Sequence, residues 1–92
     1  MTEQRFQHEL LRAQILEKYP PPPTTADYWA GYQRGLRRAY HGENFGTPEE
    51  HKLWLSLSSS DDETRRERGY GYEAAFWQHA PESELPNEQR RP

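Results

Sequence analysis

Arg34, Arg37, Arg38 and His41 fall within one short stretch of the chain. On a helix they share a side, because positions three and four apart lie one above the other. Guanidinium groups hold phosphates or carboxylates through paired hydrogen bonds, so such a side would suit a nucleic-acid backbone or an acidic protein surface. Arg65, Arg66 and Arg68 would extend the patch if their helix lay alongside. The competing reading is a solvated face, neutralised by Glu43, Glu49 and Glu50 next door.

A metal would need three or four convergent donors. The turn His41-Gly42-Glu43-Asn44-Phe45-Gly46 offers His41 and Glu43, and the helix after it offers Glu50 and His51. No HExxH or comparable spacing is present, and Glu50 is already explained by helix capping, so we expect an ordered turn anchored by Phe45 with no metal and no cofactor. Catalysis is no better served. The chain has no cysteine nucleophile, four of its five serines sit in the linker-like run from Ser56 to Ser60, and its acids cluster at helix starts. A non-enzymatic protein is expected.

Recognition could instead rest on apolar residues. In the segment from Thr2 to Tyr19, Phe6, Leu10 and Ala13 fall on one side of a helix, while Leu11, Ile15 and Tyr19 fall nearly opposite. One body cannot cover both stripes. Leu11, Ile15 and Tyr19 are therefore candidate partner-binding residues, either for another protein or for a second copy in a C2 homodimer. Tyr19 also precedes Pro20 to Pro23, a run that reads as a stiff spacer or as a ligand for an aromatic groove.

The elements that position these residues are helices. The chain has 92 residues with no valine and a single isoleucine, Ile15, and that scarcity of β-branched aliphatics argues against strands. Its length supports one core, and its 13% aromatic content assigns that core to Trp, Tyr, Phe and Leu. The punctuation is consistent with four helices. A proline-free run spans residues 3–18, Thr24 or Thr25 starts a helix over 26–41, and Gly42 ends it. Thr47-Pro48-Glu49-Glu50 is a capping box with proline at the first position, predicting a short helix over 48–57 that the serines then stop. Ser60 or Asp61 caps a fourth helix over 62–78. The result is an all-α bundle with an aromatic-rich core, in which Trp29, Tyr32, Leu36, Trp54, Leu57, Tyr72 and Phe76 should be buried. Residues 81–92 contain one leucine, Leu85, and are expected to be a disordered tail.

A short internal echo carries a structural expectation. Gly31-Tyr32-Gln33-Arg34-Gly35-Leu36 matches Gly71-Tyr72-Glu73-Ala74-Ala75-Phe76 as Gly-Tyr-x-x-small-large. Glycine inside a helix costs about 1 kcal/mol relative to alanine, so Gly31, Gly35, Gly69 and Gly71 call for a compensating gain. The simplest is close packing of the second helix against the fourth.

The function classes narrow accordingly. Fifteen acids and twelve bases are well mixed, giving a net charge of -3 and no global attraction to nucleic acid or lipid. The N-terminal run carries Glu3, Arg5 and Glu9 and has no signal-peptide pattern, no stretch is long and apolar enough for a membrane, and cysteine is absent, so a cytoplasmic location is expected. The leading expectation is a small protein-binding module: an accessory factor or inhibitor occupying a partner's surface, by analogy with those of phages and mobile elements. The alternatives are a nucleic-acid binder using the arginine face and a structural subunit of a larger assembly.

Overall fold

The computed structural model describes residues 1–80, and the expectation of a disordered tail over 81–92 lies outside them. The described residues form an all-helical fold: α1 spans Glu3–Lys18, α2 Ala26–His41, α3 Pro48–Ser56 and α4 Glu63–His79. Single 3₁₀ turns at Gly42–Asn44 and Leu57–Ser59 follow α2 and α3. No described helix is long and apolar enough to cross a membrane.

Each helix starts on a side-chain oxygen that accepts an otherwise unpaired backbone N–H. Thr2 accepts from Arg5, Thr25 from Tyr28 and Thr47 from Glu50, all at 3.1 Å, and Asp62 accepts from Arg65 at 2.9 Å. The cap of α4 is thus Asp62, where Ser60 or Asp61 was predicted. Ser60 supports it one step earlier, its hydroxyl accepting from the Asp62 N–H at 3.1 Å. In α3 the threonine half of the capping box forms, and the Glu50 carboxylate is turned to Arg34 at 3.2 Å. The helix ends at Ser56, one residue short of the prediction, where the Ser56 and Ser58 hydroxyls donate to the carbonyls of Leu53 and Leu55. Pro20 to Pro23 form the turn between α1 and α2, with a cis Pro22–Pro23 bond. Thr24 closes that turn by donating its N–H to Pro21 at 2.8 Å and accepting the Trp29 indole N–H at 2.9 Å.

The frame is the pair α2 and α4. Asp27 meets Arg68, Gly35 meets Tyr72, and Arg38 lies over Phe76, so the contacts advance along both helices together and the two run in the same direction. The echo in the sequence is the crossing itself. A Cβ on Gly31 would enter the Arg68 carbonyl, and a Cβ on Gly71 would enter the Tyr28 carbonyl. Each glycine thus faces the residue three places before its counterpart, so the repeated motif becomes a local pseudo-twofold. At Gly35 a Cβ would lie 2.5 Å from the Tyr72 carbonyl oxygen. Gly69 plays the same part toward the 3₁₀ turn after α3, at Leu57 and Ser58.

Around this crossing sit Trp29, Tyr32, Leu36, Ala39, Tyr72, Ala75 and Phe76, all buried. Two predicted core members are only half-buried, Trp54 and Leu57. They belong to the short α3 and its turn, which lie against the outer side of α4, where Trp54 stacks on Tyr72 at 5.4 Å. The missing core volume comes from α1, which contributes Phe6 and Ala13. That helix runs antiparallel to α2: Phe6 stacks on Tyr40 at 4.3 Å, near the end of α2, while Glu17 accepts from Gln33 at 2.6 Å, further back along it.

Candidate functional site

Helix α1 divides as its sequence pattern predicts. Phe6 and Ala13 are buried, with Leu10 and Leu16 partly buried beside them. On the opposite side Leu11 is 58% exposed, Ile15 55% and Tyr19, just past the helix end, 70%. Elsewhere among the described helices exposure of a large apolar side chain is confined to Leu53 on α3 and Tyr70 on α4. Isolated residues of that kind are normal on a surface, whereas an aligned stripe is not.

The stripe borders a shallow groove of about 350 Å³ lined by His8, Leu11, Arg12, Ile15 and Leu16. His8, Arg12 and Leu16 follow at intervals of four, so they form the ridge next to Leu11 and Ile15. The ridge does not stand out in the sequence because His8 and Arg12 are polar and Leu16 belongs equally to the inner side. The 3.6-residue period of the helix was the available signal.

Behind the groove lies a buried charge that the sequence pattern did not reveal. Glu9 is only 8% exposed, and its carboxylate is held by Arg5 at 3.3 Å and Arg12 at 3.5 Å. A carboxylate at such a place is tolerated because it is paired. Arg12 also lies 5.9 Å from the Trp29 ring centre, which ties the outer ridge of α1 to α2. Deeper still, the Tyr32 hydroxyl donates to Gln78 at 3.2 Å, and burial, then the nearby Glu9 charge, raise its pKa above the ordinary tyrosine value. Burial holds the His79 imidazole below its ordinary value, outweighing the attraction of Glu9, and its Nε2 is enclosed without a hydrogen-bond partner.

The basic face predicted on α2 is not a continuous surface. Arg38 is 7% exposed, with its guanidinium 5.8 Å from the Phe76 ring centre. Arg34 is sandwiched between Phe45 at 5.1 Å and Trp54 at 4.9 Å while bonded to Glu50. Arg37 is half-exposed and His41 is exposed, at the end of the helix against Phe6 and Tyr40. The cause is packing: α2 is covered by α1 and α4, which encloses Arg38, while the Arg34 side chain is drawn across to Glu50 and Trp54 of α3. The second arginine group does not extend this strip either. Because α2 and α4 run in the same direction, Arg68 lies at the start of α2, bonded to Asp27 at 3.0 Å, and Arg66 donates to the Ser60 carbonyl at 3.1 Å.

The turn after α2 is ordered by aromatic contacts. Arg34 caps Phe45, His41 lies 6.3 Å from it, and Gly42 and Gly46 take positive φ at 63° and 78°. His51 turns inward, its Nδ1 2.6 Å from the Tyr72 hydroxyl and its ring against Phe76. With Glu50 on Arg34 and His51 on Tyr72, the four potential donors diverge, and no group of three or more His, Cys, Asp or Glu among the described residues is placed to hold a metal. Compared with known proteins, the chain matches no family model, no curated protein and no solved structure.

Proposed function

We propose that this chain is a small protein-binding module that docks on a partner through the outward stripe of α1, acting as an accessory factor or inhibitor in the cytoplasm. The observation that carries this reading is the alignment of Leu11, Ile15 and Tyr19, each more than half exposed, beside an apolar groove. Burying an aliphatic side chain of this size contributes about 1.5 to 3 kcal/mol, so a few anchors aligned on one helix suffice for a specific contact. The absence of cysteine supports the cytoplasmic setting. Nucleic-acid binding through Arg34, Arg37 and Arg38 receives no comparable support, because Arg34 is bonded to Glu50 and Arg38 is buried.

Photo-crosslinking in the source cells tests the proposal. An Ile15→p-benzoylphenylalanine variant should give a discrete protein adduct that the same replacement at exposed Arg65 does not. Identical adducts at the two positions, or none at position 15, would contradict it.

A further inference from the structure

Resting on that reading, we propose that the partner presents an acidic amphipathic helix. The outward side of α1 carries Gln4, Gln7, His8, Leu11, Arg12, Ile15 and Lys18, and no carboxylate. In a chain of net charge -3 this is a departure from its average. The acids of α1 are placed elsewhere. Glu9 is buried, Glu17 is half-buried and accepts from Gln33, and Glu3, though exposed, stands in the first turn, about 12 Å along the helix from Leu11 at 1.5 Å per residue.

Nor does Glu9 cancel the basic ridge. One carboxylate is shared by two guanidinium groups, Arg5 and Arg12, which leaves one positive charge beside the groove, and Lys18 adds another at the far end. The surface is therefore an apolar stripe with a cationic margin. Leu11, Ile15 and Tyr19 follow at intervals of four, which spans about 12 Å at 1.5 Å per residue. That is the length over which a docked helix presents anchors on successive turns. Glutamates flanking those anchors would meet His8, Arg12 and Lys18. A second copy of this chain fits less well, because its own stripe offers cationic residues and no carboxylate to meet them.

The probe is a labelled synthetic helix of about 18 residues, matched to α1 in length, with leucines on one stripe and glutamates beside it. Its lysine counterpart, with the same leucines, and a single-stranded oligonucleotide serve as comparisons. Fluorescence anisotropy should show the acidic peptide bound at least about tenfold more tightly than the lysine peptide, and more weakly as salt rises from ~50 to ~500 mM. A His8→Glu/Lys18→Glu variant should reverse the preference, while the uncharged Leu11→Ser/Ile15→Ser should abolish binding of both peptides. Equal binding of the two peptides, binding of neither, tighter binding of the oligonucleotide, or a wild-type dimer that survives His8→Glu/Lys18→Glu would each overturn the acidic-helix inference. Loss of charge selectivity with an intact Ile15 crosslink would leave the docking reading standing; loss of the crosslink itself would remove it.

Discussion

His79 shows how a single half-buried group writes a pH dependence into this fold. Its Nε2 is enclosed without a hydrogen-bond partner, and the charges facing it are Glu9, Arg5 and Arg12 on α1 together with the N-terminal amine. Burial holds its folded pKa below the ordinary 6.5 of the unfolded chain. As pH falls through 6.5 the unfolded state takes up a proton that the folded state refuses, so stability present above that pH is lost progressively below it. Urea denaturation at pH 7.5 and pH 5.5 should give a lower midpoint at the acid end. His79→Phe should flatten that difference, and an unchanged slope would assign it to other groups. The residue scale was also the least legible in the sequence. Nothing in the spacing of Glu9, Arg38 or His79 distinguishes them from solvated neighbours, because their burial depends on which helices come to cover them.

At the scale of elements, most of the fold was readable. Thr2, Thr25 and Thr47, the proline run and Gly42 mark helix ends by local hydrogen bonding and backbone geometry, which need no tertiary information. The repeated Gly-Tyr motif pointed to the α2–α4 crossing for a different reason, since a close backbone approach between helices offsets the cost of interior glycine. Trp54 and Leu57 were misplaced because composition identifies a residue as core material without saying how deep its short helix lies. The glycines give a prediction with an unusual sign. Alanine is the better helix former by about 1 kcal/mol, so Gly→Ala inside a helix ordinarily stabilises. Here Gly31→Ala or Gly71→Ala sets a methyl against a backbone carbonyl of the other helix, and each should destabilise by about 1 to 3 kcal/mol in thermal melts. Stabilisation by either would show that the helices separate at little cost. Thr47→Ala should remove the α3 cap at a cost of about 1 kcal/mol, measurable in the same melts, with Thr64→Ala, exposed in the first turn of α4 but not its cap, as the comparison.

For the molecule as a whole, the consequence is a division of labour. Helices α2 and α4 form the frame, α3 covers the outer side of α4, and α1 closes the aromatic core with Phe6 and Ala13. Among the described helices, α1 alone then presents a second aligned apolar side. That surplus was visible in the sequence as two opposed stripes, whereas a helix considered alone could not show that packing encloses Arg38 and pairs Arg34 with Glu50. The central claim is that the outward stripe serves recognition and not folding, and the Leu11→Glu/Ile15→Glu variant tests it most directly. Its thermal melt should match the wild type within about 0.5 kcal/mol, as for surface substitutions, while capture of the partner identified by the Ile15 crosslink is lost. A melt lowered by several kcal/mol, or undiminished capture by a folded variant, would contradict the account.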